Sequence, residues 1–379
     1  MRVVVVGAGV FGVWTAKCLA DAGHTVTLID AYGPANGRAS SADHSRVIRA
    51  GYGADIIYSR WATESLAAWL ALADATGRTL LAKTGALFMG EPGNVYVRTS
   101  YETLRGLRLP VEWIEPDDLA RRFPHIATTG LGGSVLEAQA GVIRARAAVQ
   151  AVLTAALATG RVSYVTARCE PPDEQRDVLA LHLTGGRALA ADGYVFACGA
   201  WLPQLFPVAV GGCIRPTRQE VLHFGVPSGD ARFAASQMPV WIEFAAGRYG
   251  IPDLDAMGFK VGVDRHGAVI DPDADDRIVD REVVDETRAW MAQRFPLMAD
   301  APLVDARVCQ YENTSTGDFV LDRHPQWANC WIAGGGSGHG FKHGPAVGRH
   351  VAALVTGDAQ VEPRFSLATK TSHARRAVY

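Results

Sequence analysis

Residues 3–30 read VVVVGAGVFGVWTAKCLADAGHTVTLID. An apolar strand is followed by Gly7, Gly9 and Gly12 in G-x-G-x-x-G spacing, then by a helix, a second strand and an acidic residue, Asp30. Gly7 permits a tight turn, Gly9 lets a diphosphate approach the backbone, and Gly12 allows close packing of the helix. The helix start, at Val10 and Phe11, offers unpaired N–H groups and a positive dipole to the phosphates. Asp30 is placed to accept hydrogen bonds from a ribose. Three glycines alone are weak evidence. Here they follow a strand, open a helix and are answered by an acid about 20 residues on, the context the motif requires. The stretch therefore predicts an FAD or NAD site heading an α/β fold; the bland alternative is a glycine-punctuated α/β unit without ligand.

At 379 residues the chain exceeds the usual limit of one hydrophobic core, so two domains are expected. The formal charge of −2 offers no basic stripe, which argues against nucleic acid or an anionic membrane as partner and favours small-molecule chemistry. Cys18, Cys169, Cys198, Cys213, Cys309 and Cys330 are scattered without C-x-x-C spacing, so neither a metal site nor a disulfide framework is indicated, and a reducing cytoplasm fits best. The N-terminal apolar run is too short and glycine-rich to span a membrane or to act as a signal peptide.

Beyond Asp30 runs a small, polar loop, AYGPANGRASSADHSRVIRAGYG, in which Arg46 and Arg49 stand three apart and can face an anion from one side; the alternative is a solvated basic turn. Trp61, Leu66, Trp69 and Leu70 give residues 58–75 helical spacing. TGALFMG reads as a strand, GVIRARAAVQAVLTAALATG as a strand end entering an Ala-rich helix, and ALAADGYVFACGAW as a buried strand whose small-residue end suits a nucleotide border. From residue 215 the chain turns strand-rich and aromatic, as in VLHFGV and PVWIEF, which marks a change of domain. It then returns through NCWIAGGGSGHGFKHGPAVGRHVAALVTG, an apolar strand, a Gly-rich loop and a helix that again aim backbone N–H groups at something negative.

Taken in order, GAGVFG with Asp30, SRVIRAGYG, TGALF, ACGAW, RQEV, YGIP, FKVG, CQY, GDFVLDRHP and GGGSGHGFK resemble the FAD-dependent D-amino acid oxidase superfamily, and most closely its monomeric sarcosine oxidase and N-methyltryptophan oxidase branch. The resemblance spans nearly the whole chain. It implies a discontinuous Rossmann-type FAD-binding domain, expected at residues 1–82, 142–214 and 318–379, and a mixed β-sheet substrate-binding domain at residues 83–141 and 215–317. The implied activity is oxidation of a secondary or N-methylated amino acid to an imine, with O₂ reduced to hydrogen peroxide, by a monomer or homodimer. Within the same scaffold a dehydrogenase or primary-amine oxidase is the alternative, and outside it a flavin-binding protein without turnover or a nicotinamide dehydrogenase.

Residue by residue, the resemblance implies diphosphate at Gly7 to Gly12, ribose on Asp30, and further FAD contacts from Ser40, Ser41, Arg46, Ala197, Gly199, Trp201, Gly336, Gly338, His339, Gly340, Phe341 and Lys342. Cys309 falls where the branch joins flavin covalently through a thiolate. Arg49 and Lys342 fall on the pair that grips the substrate carboxylate, Tyr249 and Tyr311 on pocket positions, and Lys260 on the lysine that promotes reaction with O₂. Alternation in residues 259–264 puts Lys260 and Asp264 on the face opposite Phe259, Val261 and Val263, where they meet either solvent or a cavity. Two positions depart from the branch: Asp264 replaces a pocket histidine, and Ala42 replaces a histidine in the Arg46 loop. His44 is the fallback site of flavin attachment, and Asp264 points to a substrate larger than sarcosine.

Overall fold

The computed structural model describes residues 1–173 and 178–370; residues 174–177 and 371–379, which fall within the segments expected to bind cofactor, lie outside the described residues. A six-stranded sheet runs in the order Val320–Arg323, Cys330–Gly334, Gly193–Phe196, Arg2–Val6, Thr25–Asp30, Val162–Thr166. Its strands are parallel apart from Val320–Arg323, which pairs antiparallel with Cys330–Gly334. Both faces are covered, which is why the first strand is apolar from Val3 through Val6. Val3 and Val5 join a cluster with Trp14, Trp69 and Val347, whereas Val4 and Val6 pack with Tyr194, Phe196 and Ile332 on the other side.

The helix predicted over 58–75 spans Ile56–Thr76 and ends on Gly77 in a left-handed conformation. Its Trp69 meets Trp14 edge-on at 5.1 Å and stacks on Phe341 at 6.0 Å, so it locks the first helix to the returning Gly-rich segment. The loop after Asp30 is less irregular than its composition suggested. Ser45–Ile48 is a strand paired antiparallel with Gly141–Arg144, a partner about 100 residues away that local sequence could not reveal.

The aromatic region forms an eight-stranded sheet in the order Leu303–Thr314, Ile214–Phe224, Phe259–Val263, Arg248–Ile251, Val240–Glu243, Ala86–Met89, Ser134–Glu137, Val111–Ile114. All neighbours are antiparallel except Val240–Glu243 with Ala86–Met89. Phe259 and Val261 pack with Trp241 and Phe295 on one face, leaving Lys260 and Gly262 to the other. Solvent is not what that second face meets: every residue of Phe259–Val263 is buried. All six cysteines are free thiols. Among the described residues no helix is long and apolar enough to cross a membrane.

Candidate active site

A cleft of about 240 Å³ opens at the C-terminal ends of the central parallel strands, where open α/β sheets place their ligands. Gly7, at φ +102°, turns so tightly that a Cβ there would lie 2.3 Å from the Ala197 carbonyl oxygen; one on Gly12 would lie 1.7 Å from the Gly7 oxygen. Gly12 consequently sits behind the turn while Gly7, Gly9, Val10 and Phe11 line the cleft. The helix Val10–Asp21 has no side-chain cap hydrogen bond from Gly9; the Val10 N–H instead donates to Ser41 Oγ at 3.1 Å. Asp30 accepts from the N–H groups of Ala8 (2.7 Å) and Tyr32 (2.8 Å), and burial raises its pKa.

Ser40, Ser41, Arg46, Ala197, Gly199 and Trp201 line the same cleft, as do Gly336, Gly338, Gly340 and Phe341 from the returning loop. The residues fit FAD on two observations. A Cβ on Gly9 would meet nothing nearer than Ser41 Oγ at 3.4 Å, so that backbone is open to a ligand. Ser40 Oγ is buried with no hydrogen-bond partner, an unmet polar atom on the wall of the cleft.

Arg46 of the cleft lining meets groups delivered by the eight-stranded sheet, of which Cys309 and Lys260 are not themselves among the lining residues. Cys309 lies on Leu303–Thr314, opposite Gln219, and Arg46 Nη2 donates toward its Sγ at 3.5 Å. Arg46 also donates to the Ser40 carbonyl at 2.7 Å and to Asp43 Oδ2 at 2.8 Å. The same Asp43 oxygen receives the Lys260 ammonium, which donates as well to the Ser45 carbonyl at 2.9 Å. Lys260 and Asp43 are both buried. Burial alone would raise the Asp43 pKa, but Lys260 and Arg46 hold it well below the usual carboxylate range; burial lowers the Lys260 pKa, and Asp43 opposes that fall.

Tyr311 packs on Gly338, where a Cβ would lie 2.5 Å from its ring, and Tyr249 packs on Gly262, at 2.4 Å. Asp264 joins them by accepting from Tyr311 Oη at 3.2 Å. Of these three, Tyr311 lines the cleft. Burial raises both phenol pKa values, and the Asp264 charge adds to the rise.

Arg49 and Lys342 converge on a different ring. The Arg49 guanidinium carbon is 4.7 Å from the centre of Tyr52, and Lys342 Nζ is 5.2 Å from it while donating to Tyr52 Oη at 2.8 Å and to the His339 carbonyl at 3.0 Å. His339 turns the same way, with Nδ1 3.3 Å from Tyr52 Oη and Nε2 3.0 Å from the Gly317 carbonyl. Arg49, Lys342 and His339 are thus not among the residues that line the cleft. The returning helix begins at Gly344, after a 3₁₀ turn at Phe341–His343, so the glycines of the loop, not the helix start, face the cleft. His44 points to Asp255, 3.2 Å away, and is not part of the cleft lining.

Three buried carboxylates escaped the sequence reading. Asp43 looked like one more polar loop residue, although its spacing of three from Arg46 was a usable hint. Glu137 accepts from the N–H groups of Ala50 (2.8 Å) and Gly51 (3.1 Å), fixing the backbone just after Arg49. Glu312 follows CQY directly and lines the cleft.

Comparison with known proteins agrees with this architecture. Residues 2–354 match the family model described as FAD dependent oxidoreductase. The chain is 30% identical to the monomeric sarcosine oxidase of Bacillus sp. (strain B-0618) over 93% of its own length and 91% of that protein. It is 25% identical to the N-methyl-L-tryptophan oxidase of Yersinia pestis (strain Pestoides F), over 94% of each. Among solved structures it superposes on L-proline dehydrogenase from P. horikoshii with a TM-score of 0.83 at 20% identity, covering 97% of this chain and 96% of that one. A glycine-turn cleft of this form and a family match over nearly the whole length lead to one conclusion: the chain belongs to the FAD-dependent oxidoreductase family of D-amino acid oxidase type.

Proposed function

We propose that this protein oxidises a secondary or N-methylated amino acid, larger than sarcosine, to an imine that then hydrolyses, with O₂ as acceptor and hydrogen peroxide as product. It is an FAD-dependent oxidase acting on CH–NH donors. The observation that carries this reading is that Arg46 of the cleft lining contacts Cys309 and shares the buried Asp43 carboxylate with the buried Lys260 ammonium. FAD bound in the cleft would supply the two-electron redox chemistry that couples oxidation of the amine to reduction of O₂ to hydrogen peroxide.

The chain's residues orient and tune that exchange. Gly7, Gly9 and Asp30 hold the diphosphate and ribose, with Gly12 making room behind the turn, and Ser40, Ser41, Ala197, Gly199, Trp201, Gly336, Gly338, Gly340 and Phe341 enclose the remainder. Cys309 would provide the sulfur for attachment at the flavin 8-methyl carbon: one methyl C–H and the thiol S–H would give up their protons, and the two electrons released would pass through the flavin to O₂. Arg49 and Lys342, gathered around Tyr52, carry the positive charge that draws a substrate carboxylate and so fixes the carbon to be oxidised. Tyr249, Tyr311 and Asp264 form the polar wall at the amine end, where the Asp264 carboxylate favours a substrate with an additional donor. Lys260, whose ammonium form Asp43 favours against burial, places a cation where negative charge develops on oxygen. In this reading residues 1–82, 142–214 and 318–379 serve the cofactor and residues 83–141 and 215–317 serve the substrate. Six free thiols suit a reducing cytoplasm.

A second reading, a dehydrogenase passing electrons to a carrier, draws on the same ion pair: Asp43 neutralises much of the Lys260 charge that would favour O₂. Peroxide yield separates the two. The test is an amine panel scored for anaerobic flavin bleaching and for peroxide, comprising sarcosine, N-methyl aromatic amino acids, cyclic imino acids and amino-bearing analogues, repeated in Asp264→Asn and Asp264→His. A larger amine should rank above sarcosine in kcat/KM, and both substitutions should reorder the panel. Sarcosine ranking first in an unaltered order defeats the role given to Asp264; flavin that no amine bleaches defeats the oxidase.

A further inference from the structure

Glu312 is a buried carboxyl group with no ion-pair partner among the described residues. It lies on Leu303–Thr314, three residues past Cys309, on the strand face it shares with Gln310, and both residues line the cleft. Only 9% of it is exposed. Its Oε2 accepts from the Gly335 N–H at 3.3 Å, and its carboxylate reaches the glycines on either side: a Cβ on Gly336 would lie 3.2 Å from Oε1, and one on Gly199 3.5 Å from Oε2. Among the described residues it forms no ion pair, and burial, only partly offset by the Gly335 and Gly336 N–H groups, raises its pKa to about 7. An uncompensated buried carboxylate is costly, and nothing in the surrounding packing requires one.

Its place along the cleft says what it is for. Asp30 is held at the glycine turn by the Ala8 N–H, and Glu312 lies against Gly199, two residues past the Ala197 carbonyl that packs on Gly7. Cys309 lies roughly 10 Å further along the same strand at ~3.3 Å per residue. A dinucleotide laid from Asp30 across the turn toward Cys309 brings its second polyol, the hydroxyl-bearing linker between diphosphate and ring, past Glu312. Hydroxyls are donors, and a carboxylate with two oxygens and few donors of its own is their natural acceptor.

We propose that Glu312 is a cofactor-binding residue that accepts hydrogen bonds from the ribityl hydroxyls of FAD, so that the cleft holds a carboxylate on each side of the diphosphate. This rests on the placement of FAD given above. The test is equilibrium binding of FAD and of its 2′-, 3′- and 4′-deoxyribityl analogues to apoprotein in a Cys309→Ser background, where binding is reversible, followed by flavin fluorescence. Glu312→Ala should weaken FAD roughly ten- to a hundred-fold, the range for a hydrogen bond to a charged group. It should cost the analogue that lacks the bonded hydroxyl nothing further. Glu312→Gln, which keeps an acceptor oxygen, should recover part of the loss. The thermal midpoints of the apoproteins show whether each variant folds.

Equal FAD affinity in parent and Glu312→Ala overturns the inference, as does an equal loss for FAD and every deoxy analogue. A loss in Glu312→Ala that Glu312→Gln does not relieve overturns it too. Gly9→Val keeps the two levels of reasoning apart, since a side chain there would fill the diphosphate approach. If Gly9→Val still binds FAD, the placement of the cofactor is wrong; if Gly9→Val is empty and Glu312→Ala is not impaired, the placement stands and the role of Glu312 falls.

Discussion

Replacing Asp43 by Asn leaves Lys260, Arg46 and, 3.9 Å from Asp43, Arg307 facing one another without the anion between them. His223 also faces this cluster, but burial lowers its pKa to about 4, so it adds no charge near neutrality. Removing one partner of a buried ion pair costs roughly 3–5 kcal/mol, which at about 2 °C per kcal/mol for a chain of this size lowers the melting temperature by about 6–10 °C.

The pH dependence gives the cause a signature. In the parent the Asp43 carboxyl is held below its unfolded value, so its stabilisation is full above about pH 4, the unfolded range, and is lost as pH falls through the folded value. Asp43→Asn has no such contribution to lose in acid. For Lys260 the folded pKa lies below the unfolded one, so the unfolded chain binds more protons and stability rises with pH between the two, by at most about 1.4 kcal/mol per pH unit. Without Asp43 the folded value drops further and the window widens downward. The variant should therefore gain melting temperature with rising pH over a range that reaches further below the unfolded lysine value of about 10.4 than it does in the parent. Adding Lys260→Met should recover most of the loss, since an apolar replacement of a buried pair is often neutral. A variant that melts with the parent, with a parallel pH slope, refutes the coupling of these groups.

Two further outcomes follow from the same site. After acid precipitation, yellow colour should stay in the pellet of the parent and move to the supernatant in Cys309→Ser; a parent that releases all its flavin after full maturation rules out attachment through this thiol. Arg49→Met or Lys342→Met should weaken an acyl thioacetate inhibitor by roughly 2–5 kcal/mol while flavin content stays close to that of the parent, and unchanged inhibitor titrations in both would show that the carboxylate is held elsewhere.

The glycine turn was legible because its requirements are local: Gly7 needs φ +102°, Gly12 has no room for a Cβ, and both needs are written at fixed spacing. The strand at 259–263 was half legible. Alternation separated Lys260 from Phe259 and Val261, but what covers the Lys260 face is Asp43 and Ser45, over 200 residues upstream. Asp43 and Glu312 were opaque for a related reason. An acidic residue reads as solvent-facing until a distant cation or a cavity is seen beside it, and a polar, small-residue context such as SSADHS gives no sign of burial. Lys342 shows the reverse limit, since its motif predicts proximity to the cleft but not that its ammonium turns to Tyr52 Oη.

The strand Leu303–Thr314 pairs with Ile214–Phe224 from Ile214 opposite Thr314 to Phe224 opposite Leu303, with one irregularity at its far end. Because side chains alternate, a slip of a single residue would send Gln310 and Glu312 where Cys309 and Tyr311 belong. An insertion or deletion in either of these two strands that shifts their register would thus exchange the tether for an amide. Anyone recombining this chain with relatives should treat residues 214–224 and 303–314 as one indivisible cassette, and place crossovers outside it.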